Sequence, residues 1–453
     1  MNFDSSFLSP EKMDNWELYS AAINIEMRQC RDEGRDVAQY EKLAEVIAEM
    51  ERTPVREELA NVLYKALMDA PIRADYPYIE PSDLEGIRAA RPADRMEWVT
   101  PEKNDALRRK FLGAWLGRIC GCLLGKPVEC WRTPDIHKLL KDTDNFPLVR
   151  YMSRDDVKKA GLTEKTGPWA IWIDMVKDAA PTDDDTNYLV MASAVISRWG
   201  RDFTPDNMAQ AWVDYQPKRA YCTAERRAFR NFVIGVRPPL SAIYKNPERE
   251  YIGAQIRGDY FGYINPGDPE MAAEMAWRDA SISHVKNGIY GEMFIAAMLA
   301  VAAVCDDVKT VILEGLKQVP EKSRLTERVK AVVGWYEEGV SQEECFKRIH
   351  EEWDEFDPYD WTHTVSNAMI VAASLLSGEK DYSKSICMSV ETGFDTDCNG
   401  ATVGSIVGMM LTDAGIDEKW TAPIHGRLYT QIFGMDCVVI EDMVDKTLSH
   451  LGY

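Results

Sequence analysis

The sequence predicts a mainly α-helical protein, on three observations. Apolar residues recur at helical spacing in capped stretches, other stretches are apolar and rich in small residues as inner helices are, and strand signals are sparse. The length of 453 residues argues for two or three folding units, and an apolar fraction of 45% allows a large core.

The helical elements follow in order. "DVAQYEKLAEVIAEMERTP" places Tyr40, Leu43, Ala44, Ile47 and Met50 on one helical face, and "VREELANVLYKALMDAP" repeats the pattern; both stop at proline. "PIRADYPYIEPSDLEGIRAARP" then reads as an extended linker or strap. Residues 1–100 therefore form an N-terminal helical extension and linker with no chemical constellation, and residues 101–453 the main domain. "NDALRRKFLGAWLGRICGCLLGKPVE" reads as one helix, capped by Asn104 or Asp105 and stopped before Pro127. Phe111, Trp115 and Ile119 form one stripe. Gly113, Gly117, Gly121 and Gly125 form another on the opposite side, where a second backbone can come close. "GEMFIAAMLAVAAVC" and "SNAMIVAASLLSG" read as inner helices, and 131–180 and 235–268 as long irregular connections.

Charge narrows the function. Lys plus Arg number 53 and Asp plus Glu 74, so the net charge is 53 − 74 = −21. A chain this acidic does not read nucleic-acid backbones. The longest apolar run, Met293 to Cys305, is too short for a bilayer, and the start, "MNFDSSFLSPEKMDNW", lacks the basic and apolar regions of a signal peptide. Ten cysteines at irregular spacings complete no zinc pattern. The expectation is a cytoplasmic protein with free thiols.

Two acidic clusters each open a buried-looking helix. Asp183, Asp184 and Asp185 lie in "APTDDDTNYLVMASAVISRW", and Asp395 and Asp397 in "GFDTDCNGATVGSIVGMM", ahead of Gly400, Gly404 and Gly408. One N-cap needs one carboxylate. Adjacent carboxylates repel unless solvated or neutralised by a cation. Spacing alone leaves two readings, a pair of ordinary caps or a site for Mg²⁺, Mn²⁺ or Ca²⁺. The glycine ladders would be the packing device that lets distant acids converge.

The segments "GAWLGRICGCLLGKPVE", "TDDDT" and "GFDTDCNGATVGSIVG", in that order, resemble the ADP-ribosylglycohydrolase family from about Asn104 to the C-terminus. The resemblance implies an all-α, compact orthogonal helical bundle with an added N-terminal region, and two divalent cations, Mg²⁺ or Mn²⁺, in a central cleft. It implies metal ligands at Asp184, Asp185, Asp395 and Asp397. Asp183 adds a carboxylate where the family usually has Ser or Thr; an alternative register uses Thr182, Asp183 and Asp184. Cys398 stands where the family often has Thr, and a thiol is a poor Mg²⁺ ligand. Glu129 matches an acidic position near the reaction centre and, with Asp185, is the expected catalytic residue.

"GDYFGYINPGDPEMAAEMAWRDASISHVKNGIYGEMF" resembles the family's Gly-rich loop and its Ser/Thr-His step. This places Gly262 and Tyr263 near phosphate or ribose, followed by His284, Asn287 and Gly288; His363 and Asn367 are weaker candidates. The implied reaction is metal-assisted hydrolysis of a ribosyl N- or O-glycosidic bond in an ADP-ribosylated protein or a small ribosyl substrate. A non-catalytic ADP-ribose or metal-binding protein on the same fold, and a two-metal phosphoester hydrolase, are the alternatives.

Overall fold

At the centre, two helices run antiparallel with glycine against glycine. A computed structural model describes residues 9–453; residues 1–8, where the signal-peptide expectation begins, lie outside the described residues. The Asp105–Gly125 helix is capped by the Asn104 side chain, which accepts from Leu107 N at 3.1 Å. Its Gly113, Gly117, Gly121 and Gly125 face the carbonyls of Gly408, Gly404, Gly400 and Thr396 on the Thr396–Leu411 helix. A Cβ at any of them would fall under 3.0 Å from the facing backbone, closer than real contacts allow. Glycine costs each helix ~1 kcal/mol relative to alanine, and close backbone approach offsets that cost. The opposite stripe packs into the main core: Phe111 and Trp115 meet Tyr263, and Trp115 also meets Tyr260.

Around this pair lie the Lys286–Ala302 and Thr364–Gly378 helices, both almost wholly buried, as their small apolar residues predict. The protein is all-α except for an antiparallel ribbon, Arg427–Tyr429 with Cys437–Val439, the two strands among the described residues. The connection over 131–180 is broken by the Thr133–Asp142 and Arg154–Lys159 helices, and 235–268 by Leu240–Ile243 and Asp259–Tyr263. No helix among the described residues is long and apolar enough to cross a membrane.

The N-terminal helices Ile23–Asp32, Glu41–Glu49 and Pro54–Asp69 enclose a small core of their own around Ile23, Met27, Ile47, Leu63 and Leu67. The expected stripe on the second of these helices is narrower than the spacing implied: Ala44 and Ile47 are buried, while Leu43 is 42% exposed. The stretch expected to be an extended strap is extended only in its first part; its end forms the Leu84–Ala90 helix, capped by Asp83, as it crosses to the rest of the molecule. Ile79 N donates to Lys322 O at 2.8 Å, and Trp277 Nε1 to Ser82 O at 2.9 Å.

Buried ion pairs join the two parts. Arg249 binds Glu26 and Glu33 at 2.6 Å each, and Arg324 binds Glu80 at 2.9 Å and Glu250 at 2.8 Å.

Candidate metal centre

The antiparallel glycine contact decides where the acids meet. It sets the C-terminal end of the Asp105–Gly125 helix beside the N-terminal end of Thr396–Leu411, and Thr396 Oγ1 donates to Gly125 O at 2.9 Å. Lys126 and Glu129, just past the first helix, therefore stand against Asp395 and Asp397, which open the second. The Asp184–Trp199 helix brings the other cluster to the same point.

Each carboxylate has a distinct setting. Asp183 is the N-cap of its helix: Oδ1 accepts from Asp185 N at 2.9 Å, and Oδ2 pairs with Lys126 Nζ. Asp185 is fully buried. Its Oδ1 accepts from Arg118 Nη2 at 3.0 Å, while Oδ2 has no hydrogen-bond partner. Arg118 also donates to Asp185 O and Ile256 O, and its Nη1 lies 3.0 Å from Asp259. The Asp395 backbone N–H donates to Asn367 Oδ1 at 3.2 Å, and Asn399 Nδ2 donates to the same oxygen at 2.8 Å. Asp397 Oδ1 is buried without a partner, and Oδ2 lies 3.7 Å from Lys126 Nζ. Asp184 and Glu129 remain partly exposed and form the mouth.

The titration of these groups follows from crowding. Burial, then Asp397 and Glu129, push the Asp395 carboxyl well above the usual range; burial, then Asp183 and Asp185, do the same for Asp184. Asp185 is also raised by burial, against the pull of Arg118. Asp183 alone of the five aspartates is lowered: burial raises it, but Lys126 outweighs burial. Burial first, then Asp397, push Glu129 up to about 8 against the pull of Lys126. Burial would lower the Lys126 ammonium, but Asp183, Glu129 and Asp397 hold it well above its ordinary value.

Such a cluster takes up protons or a cation. Ligand atoms of Asp185, Asp397 and Cys398 lie within 4.8 Å of one another, as do those of Cys122, Asp183 and Asp185. Hard, buried and unpartnered oxygens suit Mg²⁺ or Mn²⁺. The residues fit a divalent ion. Burial, then the nearby aspartates, push both thiols well up, so Cys122 and Cys398 are neutral walls of the site.

The five residues expected at phosphate or ribose do not join the cluster. Gly262 and Tyr263 lie in a short buried helix, Asp259–Tyr263, rather than a loop with free N–H groups: Gly262 N donates to Gly258 O at 3.2 Å. Gly262 packs against Ala296 and Leu299, and the Tyr263 hydroxyl meets Ser405 Oγ at 2.6 Å. His284 is buried and kept neutral by burial and Arg257, with Nδ1 at 2.8 Å from Ser283 Oγ. It borders a separate 420 Å³ cavity beside Trp277. Asn287 donates to Glu80 and Glu250 and accepts from Leu325 N. Gly288 packs under the Arg249 carbonyl. Of the weaker pair, His363 caps the Thr364–Gly378 helix, while Asn367 touches the Asp395 turn.

Sequence reasoning missed Arg118 and Lys126. A lysine three residues before Glu129, at the end of a glycine-faced helix, was the available signal for Lys126. Arg118, an arginine within an otherwise buried helix, needs a buried acid as partner.

No curated protein matches the chain. A solved structure titled "ADP-ribosylglycohydrolase-related protein complex" is 18% identical with a TM-score of 0.44, over 77% of this chain and 98% of that one. The ADP-ribosylglycohydrolase family matches residues 103–450, through both acidic clusters and the glycine-faced helices between which they meet, and the chain belongs to that family.

Proposed function

We propose that this protein is a metal-dependent glycosidase that cleaves a ribosyl N- or O-glycosidic bond and releases ADP-ribose from a protein side chain or a small molecule. Membership of the family supports glycosyl hydrolase activity. The observation that carries the finer reading is the convergence of Asp183, Asp184, Asp185, Asp395 and Asp397 at one helix junction, with unpartnered buried oxygens on Asp185 and Asp397.

A divalent cation held there would supply Lewis-acid chemistry to the ribosyl substrate and a water. Asp185 and Asp397 would hold the cation; Arg118 fixes Asp185 from behind, and Asn367 fixes the Asp395 turn. Glu129 stands at the mouth with its carboxyl pushed up by burial and Asp397; in its protonated form it gives its proton to the leaving nitrogen or oxygen as the bond to the ribose C1 carbon breaks, and a water bonds to C1 in its place and loses a proton to solvent. Burial of the cluster keeps bulk water from screening these charges.

The test is a release assay. Arginine-, serine- and small-guanidine-linked ADP-ribose are incubated with Mg²⁺, Mn²⁺ or chelator, and the products separated by chromatography. Metal-dependent appearance of free ADP-ribose from one linkage is the expected result. Inorganic phosphate instead would mark a phosphoester hydrolase, and no release from any linkage would overturn the proposal.

A further inference from the structure

Lys126 is the one lysine that reaches the carboxylate cluster among the described residues, and it does so from inside. Its ammonium pairs with Asp183 Oδ2, lies 3.0 Å from Glu129 Oε2 and 3.7 Å from Asp397 Oδ2, and its side chain is only 12% exposed. It bridges both acidic clusters and the mouth glutamate, as a bound cation would.

The oxygens divide accordingly. Both oxygens of Asp183 are engaged, Oδ1 by the Asp185 N–H and Oδ2 by Lys126. The atoms that remain buried without a hydrogen-bond partner or a contact to Lys126 are Asp185 Oδ2 and Asp397 Oδ1. These two residues belong to one group whose ligand atoms lie within 4.8 Å, beside Cys398. The other group, Cys122, Asp183 and Asp185, combines a thiol, unsuited to a hard ion, with a carboxylate already taken.

We propose that Lys126 is a built-in cation of this centre, standing where a second divalent ion would sit, so that the protein holds one Mg²⁺ or Mn²⁺ at Asp185 and Asp397 rather than two. This rests on the metal-dependent reading above and sets the ion count, which the family resemblance puts at two. The reason is electrostatic. A divalent ion beside Asp183 and Glu129 would meet the Lys126 charge at contact distance in a water-poor site, where like charges repel strongly. The lysine offsets Asp183 permanently and leaves the exchangeable ion to Asp185 and Asp397.

Mn²⁺ stoichiometry decides the matter, measured by equilibrium dialysis with elemental analysis and by electron paramagnetic resonance. The wild-type chain, Lys126→Met and Lys126→Arg are compared, and circular dichroism checks that each is folded. The expected result is one Mn²⁺ per wild-type chain with an uncoupled spectrum, one in K126R, and two in K126M with the spectrum of a coupled pair. Two ions in the wild type would overturn the inference while leaving the metal-dependent reading in place. One ion in a folded K126M would also overturn it, because removing the lysine would have opened no second position. No ion in the wild type would overturn both. If K126M does not fold, the wild-type and K126R counts still decide.

Discussion

In the proposed reaction Glu129 and Asn367 act through single atoms. Burial and the Asp397 carboxylate hold a proton on Glu129 up to about pH 8. An acid donates only when protonated, so activity falls as pH rises through the pKa of Glu129; a cation in the cluster favours the carboxylate and moves that limb below 8. Glu129→Gln is expected to lower kcat by ~10²–10⁴-fold and to abolish the alkaline limb, both read from a pH–rate profile. Asn367 presents one oxygen to the Asp395 backbone and the Asn399 side chain. Asn367→Ala frees that turn and is expected to weaken Mn²⁺ binding ~10–100-fold, read by calorimetry, with the fold retained. The two acidic clusters stood out in the sequence because they exceed what caps need; spacing left caps and a metal site both open, and the family resemblance singled the aspartates out as ligands. Tyr263 and His284 lie away from the cluster, and a matching residue type carries no record of that burial: the Tyr263 hydroxyl meets Ser405, and His284 meets Ser283 through Nδ1 alone.

At the scale of elements, the two glycine-faced helices build the site. Gly121→Ala puts a methyl into the Gly400 carbonyl and forces the helices apart, whereas Gly334, in the Arg324–Glu337 helix, has nothing within 4 Å of an added Cβ. G121A is expected to destabilise by ~1–3 kcal/mol and to weaken metal binding as the acids separate. G334A is expected to stabilise by ~0.5–1 kcal/mol and to leave metal binding unchanged. Thermal melts with and without Mn²⁺ check both. The ladders and their use as a packing surface could be read from a four-residue spacing. Their pairing, Gly113 with Gly408 through Gly121 with Gly400, could not, because nearly the whole domain separates the partners and spacing within one segment says nothing of register.

For the whole molecule, the N-terminal region is bound to the rest through charge. Glu26, in the Ile23–Asp32 helix, is fully buried, and its partner Arg249 lies in the 235–268 connection, which carries no periodic signal. That kind of pairing is invisible to local pattern, which is why residues 1–100 read as an addition. Removing one side of a buried pair leaves an uncompensated charge and costs ~3–5 kcal/mol. Deleting residues 1–100 strips Arg249 of Glu26 and Glu33 and Arg324 of Glu80. The truncated chain is expected to aggregate or to melt far below the full-length protein, seen by size-exclusion chromatography and calorimetry. A stable truncated chain with unchanged melting would show these pairs to be dispensable.

The proposal that the two acidic clusters hold a metal for glycosidic cleavage is tested most directly at Asp397, which supplies an unpartnered buried oxygen. Asp397→Ala and the wild-type chain are compared for Mn²⁺ affinity by calorimetry and for ADP-ribose release at saturating metal. The expected result is a folded variant with metal affinity reduced at least ~10-fold and release lost together with it. Unchanged metal binding and unchanged release in that variant would contradict it.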